Sequence, residues 1–394
     1  MQTNLPKDLL NTDTGKTADK ILRSCVHCGF CLSACPTYGI LGDELDSPRG
    51  RIYLIKNALE GKEVTQNSLK HLDRCLTCRA CETSCPSGVE YAHLLDIGRE
   101  FIEKKSPRPL PQRFMRWSVR KTLTSPTLFN TLTTLWPFAK HSSASPELKQ
   151  LVAAAAEKPH PKQVLLISGC VQPSLAPNIN LATINVLHKL GIGVIETPQV
   201  QCCGAVDHHL SGGEDALTKV KRNIDAWLIE LEHGAEAIIS NTSGCGVMIK
   251  DYANLLKHDK AYLKKAQKIV DHTMDISEYL VKQDLSQFKR PENADVVFHS
   301  PCTLQHGQKL TGLVEKTLIG LGFQLSPVQD SHLCCGSAGT YSIFQKKLAD
   351  ELRDNKITNL LANEPEVIAT ANIGCLMHLQ NGTDKPVKHW IELL

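Results

Sequence analysis

From residue 161 onward, apolar residues gather in short β-branched runs that stop just short of cysteines. VLLISGC leads to Cys170, AIISNTSGC to Cys245, VVFHSPC to Cys302 and VIATANIGC to Cys375. Runs of this length and composition predict buried strands feeding cysteine-bearing loops. Stretches of helical spacing lie between them, at 174–190, 213–233, 308–320 and 341–361. Strand and helix therefore alternate, the order that builds a mainly parallel sheet covered by helices. In open sheets of this kind, sites form beyond the carboxyl ends of the strands, where these cysteines fall. The expected fold class is α/β, with two repeated units.

The repeat shows in the spacing. Cys170 precedes Cys202-Cys203-Gly204 by 32 residues, and Cys302 precedes Cys334-Cys335-Gly336 by the same 32. Cys245 follows the first triplet and Cys375 the second. The first hundred residues carry a different repeat, with CVHCGFCLSACP from Cys25 to Pro36 and CLTCRACETSCP from Cys75 to Pro86. Both read C-x2-C-x2-C-x3-C-P. Residues 106–160, rich in Pro, Ser, Thr and basic side chains, read as a linker with some helix. The expected domains are 1–105, a two-cluster head; 106–160, the linker; and two cysteine-rich units, 161–290 and 291–394.

The chain has 394 residues, 42% apolar and 22% charged, and a net charge of +3, an ordinary globular composition with no global case for nucleic acid as partner. Its polar start and the lack of any apolar stretch near ~20 residues lead us to expect a cytoplasmic protein without signal peptide or transmembrane helix. In a reducing compartment its 16 cysteines are expected to be metal ligands rather than disulfides, and every one belongs to a patterned group.

The two N-terminal runs have the ligand spacing of bacterial [4Fe-4S] proteins, in which the fourth cysteine of each run serves the other cluster. By that rule Cys25, Cys28, Cys31 and Cys85 hold one cluster, and Cys75, Cys78, Cys81 and Cys35 the other. Such a head is small, helical and bacterial-ferredoxin-like. Zinc is the competing reading, since C-x2-C pairs also build zinc knuckles, but two complete four-cysteine runs closed by proline favour iron and sulfur. Arg49 and Arg51, in SPRGR after the first run, either tune a neighbouring cluster or dock a partner, or else form the solvated start of a helix.

Each later unit offers four thiols: Cys170, Cys202, Cys203 and Cys245, then Cys302, Cys334, Cys335 and Cys375. Adjacent cysteines followed by glycine let the backbone approach a metal closely. A further Fe-S cluster, a zinc ion and paired free thiols all remain open for these sites. His306 and His378 lie near the second set in sequence and are candidates for a metal or proton-transfer role.

The stretch SCVHCGFCLSACPTYGILGDELDSPRGRIYLIKNALEG, the run CLTCRACETSCPSGVEY and the doubled CCG units together resemble the iron-sulfur subunits of glycolate oxidase over nearly the whole chain. The resemblance implies an electron-transfer subunit of an oxidoreductase. It would take electrons from FAD-containing partner subunits that convert glycolate to glyoxylate, and pass them to quinone or another membrane acceptor. Related architectures occur in iron-sulfur subunits of anaerobic glycerol-3-phosphate dehydrogenase, in lactate-utilisation proteins and in heterodisulfide reductase. The last typically ends its unit in C-x-x-C, whereas here Met248 and His378 stand at that place, which weakens a thiol-enzyme reading. A cluster-stabilised scaffold without redox duty is a third alternative. No G-x-G-x-x-G follows a strand, which agrees with a flavin on another chain. RFMRWSVRK at 113–121 and TLWPFAK at 134–140 interleave basic and apolar residues; protein packing is expected there, with any inner-membrane association peripheral.

Overall fold

The computed structural model describes residues 1–135, 143–156, 160–198, 200, 202–289 and 295–394. The chain divides into two compact units, Met1–Arg116 with Asp330–Lys356, and Trp117–Gln329 with Ile357–Leu394.

In the first unit, helices Asp13–Ser24, Pro48–Leu59, Gln66–Asp73 and Tyr91–Lys105 enclose a core of Leu22, Ile55, Leu59, Leu69, Leu72, Leu94, Leu95 and Ile102. Each such side chain contributes roughly 1.5–3 kcal/mol of burial. Cys25, Cys75 and Cys81 join the same core, so the cysteine loops are anchored directly on it. Helix Pro48–Leu59 starts where Ser47 Oγ accepts the Gly50 N–H at 2.9 Å, with Pro48 in its first turn. It packs closely on Tyr91–Lys105 because Gly98 has no Cβ: one there would meet Ile55 Cγ1 at 2.5 Å.

The second unit holds two four-stranded sheets. The first contains β1 (Lys162–Ile167), β2 (Ile192–Glu196), β3 (Ile238–Ser240) and β4 (Thr273–Asp275), in the order β2-β1-β3-β4. The second contains β5 (Asp295–His299), β6 (Gln324–Ser326), β7 (Val367–Thr370) and β8 (Val387–His389), in the order β6-β5-β7-β8. All neighbours are parallel; Lys162 stands opposite Ile192, and Leu165 opposite Ile238. The α/β class and the internal repeat are thus observed. Val164, Leu165 and Leu166, like Val296 and Val297, are fully buried in succession. A parallel sheet covered on both faces demands such continuous apolar runs.

Three expected helices are shorter or broken. That at 174–190 divides into Gln172–Leu175 and Pro177–Lys189, since Pro177 has no N–H to continue the ladder. That at 308–320 begins only at Leu313, after Gly312 in the left-handed region at φ +76°. That at 341–361 is interrupted at Gln345, between Tyr341–Phe344 and Lys346–Leu361. The segment 106–160 carries more helix than a linker suggests: Leu110–Leu123, Pro126–Leu135 and Pro146–Ala156. Pro111, Pro126 and Pro146 sit in first turns, where they start helices rather than break them. Part of TLWPFAK lies outside the described residues. Among those described, no helix is long and apolar enough to cross a membrane.

Candidate metal centres

The two N-terminal cysteine runs fold alike. His27 and Gly29 in the first, and Thr77 and Arg79 in the second, all have positive φ, between +54° and +88°. These are the second and fourth positions after Cys25 and Cys75. Left-handed residues turn the chain sharply between cysteines, so that successive thiols converge rather than splay. Non-glycine residues held this way cost of order 1 kcal/mol or more, which a structure retains when something local requires it.

The thiols border two clefts. The first, open and about 440 Å³, is lined by Cys25, Cys28, Cys31 and Cys85, with Val26, Phe30, Arg49 and Ile52 at its walls. The second, about 300 Å³, is lined by Cys75, Cys78, Cys81 and Cys35, with Thr37 and Arg51. Each is therefore bordered by three cysteines of one run and the fourth of the other. Cys81 and Tyr91 line both. Burial, reinforced by Cys25, Cys28 and Cys35, pushes the Cys31 thiol up to about 11. Burial together with Cys78 and Cys75 moves Cys81 well above the ordinary thiol range. Thiols crowded like this ionise together only around a cation, so the donor set fits an iron-sulfur centre.

A polar network backs the second cleft. Arg51 is only 1% exposed, and its Nε donates to the His71 carbonyl at 2.7 Å. Both Nη atoms lie 3.1 Å from Thr37 Oγ1, and Nη1 lies 4.0 Å from Cys35 Sγ. Burial works against this charge, but Cys75, Tyr91, Cys35 and Asp46 outweigh it and hold the guanidinium firmly protonated. The buried Asp46 pairs with Arg51 at 3.3 Å, His71 Nδ1 at 3.1 Å and Arg74 at 2.7 Å. Tyr91 Oη donates to Cys75 Sγ at 3.5 Å, and the Thr77 N–H to the same sulfur at 3.4 Å. Tyr341, also buried in this unit, has a phenol raised by burial and then by Cys75, with Cys334 a further contributor.

The first CCG site is built on strand ends. Cys170 follows β1, Cys202 and Cys203 follow β2, and Cys245 sits in helix Ser243–Lys250 after β3. Its thiols pair: Cys170 hydrogen-bonds Cys202, raising the first and lowering the second, and Cys203 is raised by its bond to Cys245 and by burial. Asn223 Nδ2 donates to the Cys202 carbonyl and Tyr252 Oη to the Cys203 carbonyl, at 2.9 and 2.8 Å, fixing the backbone of the pair. Cys302, Cys334, Cys335 and Cys375 are all buried. Cys302 and Cys375 belong to the second unit, Cys334 and Cys335 to the first. His306 and His378 are buried as well.

Comparison with known proteins agrees with this plan. Residues 21–89 match the 4Fe-4S dicluster domain, and residues 164–250 and 296–380 each match the cysteine-rich domain. The glycolate oxidase iron-sulfur subunit of Escherichia coli K12 is 49% identical over all of this chain and 98% of its own length. The chain belongs to the glycolate oxidase iron-sulfur subunit family. A second member, the probable glycolate oxidase iron-sulfur subunit of Bacillus subtilis 168, is 30% identical over 92% of this chain and 89% of its own. Lactate utilization protein A of the same strain is 27% identical, over 55% of this chain. As a member of this family the chain is an oxidoreductase component. Sequence reading singled out Arg51 in this family member but missed Thr37, Asp46 and Tyr91. A lone threonine, aspartate or tyrosine carries no local signature of the sulfur or guanidinium it will meet in the fold.

Proposed function

We propose that this chain is the electron-relay subunit of a flavin-dependent glycolate-oxidising complex, with one [4Fe-4S] cluster on Cys25, Cys28, Cys31 and Cys85 and the other on Cys75, Cys78, Cys81 and Cys35. The observation that carries the assignment is the lining of the two clefts, each taking its fourth cysteine from the opposite run. Bound clusters supply one-electron storage at each site. The chain's residues supply the rest. The cysteine loops, pinned by Cys25, Cys75 and Cys81 in the helical core, fix the distance between the sites. Val26, Ile52 and Phe30 border the first with apolar surface, while Arg51 and Tyr91 set donors against sulfurs of the second.

Oxidation of glycolate to glyoxylate falls to FAD-containing partner subunits in a hetero-oligomer, and quinone or another membrane acceptor takes the electrons. The names of the two similar glycolate oxidase subunits support this, as does the lack of a dinucleotide fingerprint in the chain. Peripheral association of a cytoplasmic protein with the inner membrane is part of the same reading. Leu110, Phe114 and Trp117 support it: they follow one another along one face of helix Leu110–Leu123 and are 50–75% exposed. The CCG cysteines are candidates for a further cluster or zinc.

Lactate oxidation is the second reading, and the relatives named for lactate utilization favour it. They match only 55–59% of this chain at 25–28% identity, so glycolate is preferred. The test is anaerobic mixing of the purified chain with its FAD partners, followed by each substrate. Glycolate should bleach the cluster absorbance within turnover time and lactate should not. Bleaching by lactate alone would transfer the chain to the second reading.

A further inference from the structure

The two clefts differ in what surrounds their sulfurs. At the second, Arg51 reaches Cys35 Sγ, and both Tyr91 Oη and the Thr77 N–H reach Cys75 Sγ. Arg51 and Arg74 set two guanidiniums against the single carboxylate of Asp46, leaving net positive charge beside this cleft. At the first, no side chain among the described residues donates to the sulfurs of Cys25, Cys28, Cys31 or Cys85. Arg49, at its wall, is one-third exposed and ion-paired with Glu44 at 2.7 Å, and the Met1 ammonium is held by the Cys25 and Arg23 carbonyls at 2.5 and 3.3 Å. Cys28 is exposed, and Val26 and Phe30 beside it are each 65% exposed.

Four thiolates make a [4Fe-4S] centre anionic, and reduction adds one more negative charge. Hydrogen bonds to sulfur, net charge and exposure set its potential. Burial alone opposes the added charge at the second site. A guanidinium buried next to it acts through a low effective dielectric, where the same charge counts several-fold more than in water, and so does a buried phenol donor. Arg49 acts through solvent and is cancelled by Glu44. The fully buried positive charge, Arg51, therefore lies with the second site.

We propose that Arg51, assisted by Tyr91 and the Thr77 N–H, makes the centre on Cys35, Cys75, Cys78 and Cys81 the more readily reduced of the two. The exposed centre on Cys25, Cys28, Cys31 and Cys85 is then the one that faces the electron donor. This rests on the cluster assignment proposed above. One electron given up by the exposed centre is the one gained by the buried centre, so transfer runs from the Val26 and Phe30 face inward. Arg51 and Tyr91 are positioning residues: they touch ligand sulfurs, and their effect is a shift in potential.

The test is a redox titration of the anaerobically purified full chain, followed by EPR. A Cys28→Ser variant marks which signal belongs to the exposed centre, because in samples poised with a single centre reduced only that centre's spectrum should change. The wild type should show the unmarked centre reducing at the higher potential. Arg51→Gln should lower that centre's reduction equilibrium about tenfold, about 59 mV for one electron, and leave the marked centre unmoved. Arg51→Lys should recover part of the shift, and Tyr91→Phe should move the same centre in the same direction by less. Should Arg51→Gln fail to fold, Tyr91→Phe decides alone. A wild type in which the marked centre reduces first, or variants that shift both centres equally or neither, would overturn the proposal. Iron well below about eight atoms per wild-type chain would instead overturn the cluster assignment, a failure visible before any titration.

Discussion

The helical head and the first CCG unit both gather thiols, and they do so by opposite routes. In the head the cysteines are three or four residues apart on loops bent by left-handed residues, and the thiols stand around open clefts. In the CCG unit the four come from the ends of three strands and meet as two hydrogen-bonded pairs, Cys170 with Cys202 and Cys203 with Cys245. A local loop prescribes its own cage. A site at strand ends inherits its geometry from the sheet, so its content depends on packing far from the cysteines. Metal binding should accordingly be robust in the head and sensitive to the fold in the CCG units.

The largest effect expected comes from cutting one cysteine that crosses between the runs. Cys85→Ser should lower iron from about eight to about four atoms per chain and spare the EPR signal of the second centre. Loss of both signals together would mean that the sites do not fill independently. The matching change in the CCG unit, Cys203→Ser, leaves those eight irons in place; any iron or zinc it removes belongs to the strand-end site.

Removing Asp46 comes next. Asp46→Asn leaves Arg51 and Arg74 facing each other without their shared carboxylate, and breaking such a buried pair costs about 3–5 kcal/mol. Urea unfolding of the two variants should rank Asp46→Asn well below Cys203→Ser in stability.

The two CCG glycines sharpen the comparison between repeats. Gly204 and Gly336 sit at φ +89° and +87°, so alanine at either forces a left-handed backbone at about 1–2 kcal/mol. A Cβ on Gly336 would also lie 2.4 Å from the Ala349 carbonyl oxygen, whereas on Gly204 the nearest contact is 3.5 Å. Gly336→Ala should therefore lose about 1–3 kcal/mol more than Gly204→Ala, read from their unfolding midpoints. Equal losses would contradict the tighter fit of the second triplet.

The smallest effect is one of pH. Burial lowers His389 to about 3, although the Asn241 and Ala371 backbones act the other way. Its folded pKa thus lies below its unfolded value near 6.5. Its contribution to stability is complete above pH 6.5 and is lost as pH falls toward 3. Unfolding midpoints measured at pH 7 and pH 5 should differ less in His389→Gln than in the wild type. An unchanged difference would remove His389 from the acid response of the sheet unit.

Much of this was legible in the sequence because it is written locally. The C-x2-C-x2-C-x3-C-P runs carry their own loop geometry, and the apolar runs ahead of Cys170, Cys245, Cys302 and Cys375 became parallel strands in two sheets of like order. What escaped depends on three dimensions. The breaks at Pro177 and Gln345 turn on single residues inside otherwise helical patterns. The polar network around the second cleft joins residues as far apart as Thr37, Asp46, Arg51 and Tyr91, which only the helical core brings together. Arg51 drew notice as a basic residue after a cysteine run, but its complete burial could not be read from SPRGR.

The most direct test of the central claim is to purify the chain anaerobically and measure iron, sulfide and zinc, with EPR of the reduced sample. Two clusters require about eight irons and as many sulfides per chain, with two magnetically interacting reduced centres. Zinc bound in place of iron and sulfide, in a preparation shown not to have lost clusters, would contradict it.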